Sequence, residues 1–212
     1  MKSKKQKDIF LKIEGDNWFE RNKKVLERRS LNEDHLLNQI LEFTLHKNNA
    51  SILEVGCGNG KRLLALKQKG YQVSGIDPSQ AAINDAILNG INAFVSTADN
   101  LTFENNYFDV VSFGFCLYLC DREDLFKIAA EADRVLKNGG YLFILDFYSK
   151  YPTSNIYKHF DGIKSYKMDY SKLFEWHPDY VLVKKIIGSH DNILMQTDNP
   201  NDLISISILR KG

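Results

Sequence analysis

The chain has 212 residues, 43% of them aliphatic, aromatic or cysteine and 26% charged, with a formal net charge of +1. That is the size and makeup of one globular domain with a full core. The near-neutral balance disfavours nucleic acid and anionic membrane as partners, and no apolar run nears the roughly twenty residues of a membrane span.

The basic start, Met1 to Lys7, is followed by Asp8 and an apolar stretch too short for a secretory leader, so a cytoplasmic protein with loose first residues is expected. Three cysteines, Cys57, Cys116 and Cys120, are an odd number in such a chain and read as free thiols, with no metal site. Residues 1–48 read as helices outside a sheet. Asp16 is placed to cap a helix carrying Trp18, Phe19, Val25 and Leu26, and Ser30 with Glu33 forms a capping box ahead of Leu36, Leu37, Ile40 and Leu41. Trp18 and Arg21 stand together on the first helix with no counterpart in the sheet pattern.

Ser51 to Val55 is an apolar run fit for a buried strand, and it breaks into Gly56-Cys57-Gly58-Asn59-Gly60 before a helix from Lys61 to Lys69. A strand, a glycine turn and a helix make the first unit of an open α/β sheet. Missing Cβ atoms there let the backbone approach a ligand at the strand's carboxyl end. Gly70 stops that helix, and a second strand ends in Asp77-Pro78, about twenty residues beyond the glycines, where a carboxylate can accept the hydroxyls of a ribose. Ser79 caps the next helix, and Ile91 to Val95 supply a third strand followed by Ala98-Asp99-Asn100. Tyr107 to Gly114 is the fourth strand. A helix over Leu125 to Leu136, stopped by Asn138-Gly139-Gly140, leads to the fifth, Tyr141 to Phe147.

From Tyr148 to His177 the pattern is aromatic and irregular, and its position after the fifth strand predicts a cover over an acceptor. Tyr180 to Ile187 and Leu203 to Leu209 read as the last two strands, joined by a loop longer than a tight hairpin needs.

Three ligands compete for the glycine turn. A phosphate loop needs Ser or Thr after Gly60-Lys61, and Arg62 stands there; the dinucleotide fingerprint needs a third glycine where Lys61 stands. The remaining pattern, Leu53-Glu54-Val55-Gly56-Cys57-Gly58-Asn59-Gly60 with Gly75-Ile76-Asp77-Pro78 and Arg134 to Gly140, resembles the class I S-adenosylmethionine-dependent methyltransferases. The resemblance covers roughly residues 51–146. It implies a Rossmann-like sheet of seven strands, mostly parallel, with helices on both faces and an antiparallel last strand. It divides the single domain into a lid (1–48), a cofactor core (49–147), an acceptor cover (148–178) and closing strands (179–212). It implies S-adenosylmethionine as cofactor, held by Glu54, Gly56, Cys57, Gly58, Gly60, Asp77, Pro78, Ala98, Asp99, Asn100 and Phe115. Trp18 and Arg21 come from the lid, with Arg21 as partner of the methionyl carboxylate.

A shorter likeness, in Asp16 to Asn22 and Tyr166 to Tyr170, is to small methyltransferases of bacterial nucleotide-sugar and surface-glycan pathways, and makes a sugar hydroxyl the expected acceptor. Such an acceptor requires a base, and His159, His177 and Tyr118 are the candidates. Methylation of another small metabolite at O or N, a nicotinamide oxidoreductase and a non-catalytic S-adenosylmethionine-binding protein stay open beside it. The sequence leaves the oligomeric state open.

Overall fold

The computed structural model describes residues 5–28 and 30–212. Met1 to Lys4, expected to be loose, lie outside the described residues. An N-terminal arm is formed by α1 (Gln6–Ile9), a π-helical turn (Phe10–Glu14) and α2 (Gly15–Arg28), and α3 (His35–Thr44) follows. The core then alternates β1 (Ser51–Val55), α4 (Lys61–Gln68), β2 (Gln72–Asp77), α5 (Gln80–Leu88), β3 (Asn92–Val95), β4 (Phe108–Gly114), α6 (Leu125–Val135) and β5 (Leu136–Phe147). After a hairpin of β6 (Thr153–Ile156) and β7 (Lys164–Lys167) and a short α7 (Lys172–Glu175), the chain ends with β8 (Tyr180–Ser189) and β9 (Leu203–Lys211).

The seven-stranded sheet has the order β3-β2-β1-β4-β5-β9-β8. Strands β1 to β5 are mutually parallel, and β9 is antiparallel to both its neighbours. Strand alternation splits the core into two layers. Leu53, Val55, Val111 and Phe113 pack on α6 and α7, while Ile52 and Val110 pack on α3, α4 and α5. Because both faces are covered, β1 is buried along its whole length. The sheet order reverses between β1 and β4, so a crevice opens at their carboxyl ends, beside the glycine turn.

That turn depends on a residue without a side chain. Gly56 is left-handed at φ 76°, and a Cβ there would stand 2.8 Å from the Cβ of Cys116. Gly56→Ala is expected to destabilise the fold by about 2–4 kcal/mol, from left-handed strain plus overpacking, read as a lowered melting temperature.

Local details depart from the sequence reading for identifiable reasons. The arm enters α2 through a continuous helical turn, so α2 needs no cap. Asp16 instead accepts from Ser79 Oγ at 2.7 Å and from Ala81 N at 3.0 Å, capping α5 across the interface. Asp34, not Ser30, caps α3, through Leu37 N at 2.9 Å. Strand β5 starts at Leu136. Asn138-Gly139-Gly140 forms a bulge within it, with Gly139 at φ 75° and the register to β4 shifting between Phe108 and Val110.

Residues 148–178 contain the β6–β7 hairpin, which buttresses the arm. The Gln6 side chain bonds Lys164 N and O and Leu119 O at 2.7 to 3.1 Å, and Tyr157 and Ile163 pack on Phe10. The short polar strands Thr-Ser-Asn-Ile and Lys-Ser-Tyr-Lys carry no apolar alternation, so periodicity does not reveal them. Among the described residues no helix is long and apolar enough to cross a membrane.

Candidate active site

A cleft of about 470 Å³ lies between the N-terminal arm and the carboxyl ends of β1, β2, β4 and β5. Its floor is the glycine turn. Gly56 N and Cys57 N both donate to Ile76 O, at 2.9 and 3.0 Å, which fastens the turn to β2. Asp77 completes the clamp, accepting from Gly58 N and from Ser79 N at 2.9 Å each. Burial pushes the Asp77 carboxyl up to about 6 despite those two donors.

Glu54, on β1, faces α4. Its Oε1 pairs with Arg62, whose guanidinium also forks onto Asp34 at 3.0 to 3.2 Å. Its Oε2 is buried and has no hydrogen-bond partner among the described residues. Burial outweighs the Arg62 pairing and pushes this carboxyl up to about 7. Asp99 has the opposite balance. Burial pushes it up, but hydrogen bonds from Lys7 and Thr97, with Lys127 beyond, together hold it at about 2. Among the described residues six carboxylates line the cleft against three cationic side chains, which suits a cationic ligand.

The other end of the cleft is aromatic. Phe115, a non-glycine residue at φ 55°, projects between Phe147 and His190, with ring centroids 5.4 Å from each. The His190 imidazole lies flat on Phe147, 5.5 Å away and 8° from parallel, and Tyr118 meets the same ring edge-on at 5.0 Å. Trp18 descends from the arm onto Tyr118. Burial raises the Tyr118 phenol, so it stays a neutral donor. Asp146 holds this end together by accepting from Leu117 N, Tyr118 N and Phe147 N at 2.7 to 3.3 Å.

Of the residues singled out in the sequence, Trp18, Glu54, Gly56, Cys57, Gly58, Asp77, Pro78, Ala98, Asp99, Phe115 and Tyr118 line the cleft. Five do not. Gly60 ends the turn at φ 71°, where a Cβ would press on Ile91 and Ala86, so it serves close packing of helix on helix. Asn100 is exposed and only closes the turn after β3, through its backbone. Arg21 is held by buried Glu14 and donates to Tyr157 OH at 3.2 Å. His159 is exposed beside Tyr157 on the outer surface of the segment after β6. His177 accepts from Asp179 N at 3.3 Å in the turn that introduces β8, against Trp176 and Tyr180. No residue of 148–178 lines the cleft.

His190, Phe147 and Lys7 line it without having been singled out. The signal for His190 is topological. Since β9 is antiparallel to β5 and to β8, β8 runs parallel to β5, and its carboxyl end arrives at the ligand edge of the sheet. His190 is the first residue beyond that end.

The comparisons with known proteins agree with this geometry. A family model described as methyltransferase domain matches residues 53–144, from β1 into β5. Residues 53–144 carry the sequence pattern of a methyltransferase domain. An uncharacterized methyltransferase of Synechocystis is 31% identical to this domain over 99 residues, 46% of this chain and 47% of that protein. A demethylmenaquinone methyltransferase of Staphylococcus epidermidis is 31% identical over 144 residues, 58% of each chain. The chain thus spans about half the length of the curated relatives it matches. Among solved structures, a methyltransferase from Methanosarcina mazei superposes with a TM-score of 0.64 at 22% identity, covering 81% of this chain and 96% of that one. The partnerless Glu54 Oε2 in an acid-rich cleft fits the ammonium and sulfonium charges of S-adenosylmethionine, the cofactor that the sequence resemblance implies.

Proposed function

We propose that this protein transfers a methyl group from S-adenosylmethionine to a small planar acceptor, with the N-terminal arm as a lid over both. The observation that carries the acceptor class is the aromatic wall of Phe115, Phe147 and His190 at the open end of the cleft. Stacked faces with a ring nitrogen at the rim suit a flat ring bearing a hydroxyl or N–H. A sugar hydroxyl, the acceptor expected from sequence, drew its support from Asp16 to Asn22, of which Trp18 and Asn22 line the cleft, and from residues 148–178, which stand outside it. The Staphylococcus epidermidis relative is named for demethylmenaquinone, a ring acceptor, which fits the planar reading.

The bound cofactor would supply an activated methyl on a sulfonium. In this reading Glu54 receives the ammonium, Asp77 the ribose hydroxyls and Asp99 with Ala98 the adenine. The chain's further work is alignment, exclusion of water by Trp18 and the arm, and acceptance of the proton that leaves as the methyl arrives. Alignment is the larger share, worth about 7–11 kcal/mol when reacting atoms are held roughly 3–3.5 Å apart. His190 is the proton acceptor we assign, because it is the histidine in the cleft and its partner ring fixes its plane.

Calorimetry tests the first half of this reading: S-adenosylmethionine and S-adenosylhomocysteine are expected to bind and NAD is not, and the reverse pattern refutes it. Asp77→Ala is expected to weaken S-adenosylhomocysteine by about 1.5–3 kcal/mol, since it removes both a charged acceptor and the clamp on Gly58. Equal affinity in a folded variant rules Asp77 out. Mass spectrometry of methyl transfer into phenols, hydroxyquinones and N-heterocycles, beside nucleotide sugars, separates the acceptor classes. Transfer to sugars alone would reject the planar one.

A further inference from the structure

We propose that Arg62, braced by Asp34, is a positioning residue that keeps Glu54 charged and aimed, so that its free Oε2 reads the amino-acid end of the cofactor. This rests on the S-adenosylmethionine reading of the cleft and extends it to a pair of residues whose part is to hold Glu54. The geometry is one-sided. Arg62 takes Oε1 of Glu54 with Nη1, while Nε and Nη2 grip Asp34 in a fork. A fork fixes the plane of a guanidinium in a way one contact cannot. Asp34 is itself fixed, as the N-cap of α3.

Gly114 on β4 leaves room for the pair: a Cβ there would lie 3.0 Å from Arg62 Nη1 and 3.1 Å from Glu54 Oε1 and would press on both.

The charges facing Glu54 from each neighbouring element are Arg62 on α4, Asp34 ahead of α3 and Asp77 at the end of β2. Two of the three are negative, so the site is buried and carries an excess of negative charge. Without Arg62 the Glu54 carboxyl loses its ion-pair partner and takes up a proton more readily at neutral pH, because burial already disfavours its charged form. A protonated Glu54 no longer draws a ligand ammonium. The cofactor's own cation completes the cluster that Arg62 leaves unbalanced.

The test compares two probes on the full chain: S-adenosylhomocysteine, which carries the amino-acid end, and methylthioadenosine, which lacks it. In Arg62→Met, S-adenosylhomocysteine affinity is expected to fall about tenfold or more at neutral pH, with methylthioadenosine within about threefold. As pH falls from about 8 to 6, wild-type affinity for S-adenosylhomocysteine declines more than that for methylthioadenosine, which carries only the Asp77 share; in Arg62→Met this excess decline moves to higher pH. Glu54→Gln, nearly the same shape, abolishes the excess in either background, and it carries the test alone if Arg62→Met does not fold.

Equal losses for both probes would make Arg62 a purely structural residue and overturn the proposal, as would no loss for either. Wild-type protein that binds methylthioadenosine but gains nothing from the amino-acid end leaves the cofactor reading standing and removes this one. Wild-type protein that binds neither probe removes both.

Discussion

His190→Ala is expected to lower turnover by about 10² to 10⁴ while leaving S-adenosylhomocysteine affinity within about threefold of wild type. The asymmetry follows from where the residue stands. His190 lies at the aromatic end of the cleft, against Phe147 and Phe115, away from Glu54, Asp77 and Asp99. Its backbone is pinned by a hydrogen bond from its N–H to Asp202 O at 2.8 Å, and its ring by the flat stack on Phe147, so the imidazole is oriented before an acceptor arrives. Removing it deletes a group used only while the acceptor's proton departs, which lowers turnover and spares cofactor binding. Added imidazole should restore part of the rate, because the alanine leaves a slot between two rings. His159→Ala, on the outer surface, is the control and keeps wild-type turnover. If His190→Ala retains full activity, His190 is not the proton acceptor. Phe147→Leu should lower turnover as well, by loosening the imidazole's plane without removing it.

The contrast between His190 and His159 shows what a sequence can convey about such a site. The glycine turn, Asp77 and Asp99 were legible because each ends or follows a strand that announces itself by an apolar run, and a parallel sheet brings those ends to one edge. All of them line the cleft except Gly60, which helix packing claims. His159 was chosen by nearness in sequence to other aromatics. His190 is 43 residues from Phe147 yet stacks on it, because two antiparallel pairings return β8 to the orientation of β5. Long-range pairs of charges were equally out of reach. Arg21 has the right chemistry for a carboxylate, and a carboxylate takes it, but the partner is Glu14, seven residues away on the same arm. Asp16 likewise caps a helix, though not its own. Residue type gave the chemistry correctly in these cases, and only the tertiary partner differed.

The ligand-free protein is expected to melt higher near pH 5 than near pH 8, by on the order of 10 °C or more. Three buried carboxyls set the sign. Burial raises Glu54 from 4.5 to about 7, Asp77 from 3.8 to about 6 and Asp146 from 3.8 to about 7. Between their unfolded and folded values the native state holds protons that the unfolded chain has released, so stability falls as pH rises. Their contribution is fully present below about pH 4 and is lost as pH climbs through about 6 and 7. Asp99 and Asp109 act the other way. Each is held at about 2, by hydrogen bonds from Lys7 and from Lys137 that outweigh burial, so their stabilisation is present above 3.8 and disappears only as pH falls toward 2. The two groups leave a maximum between about pH 4 and 6. One pKa unit corresponds to about 1.4 kcal/mol, so the three raised carboxyls together amount to several kcal/mol, and a domain of this size shifts by about 2–4 °C for each. Glu54→Gln should flatten part of the decline, and saturating S-adenosylhomocysteine should flatten it too, as its ammonium meets Glu54. A melting temperature that is level or rising between pH 5 and pH 8 would mean that water or counterions reach these carboxyls, and that the cleft wall is not the dry acidic surface its geometry describes.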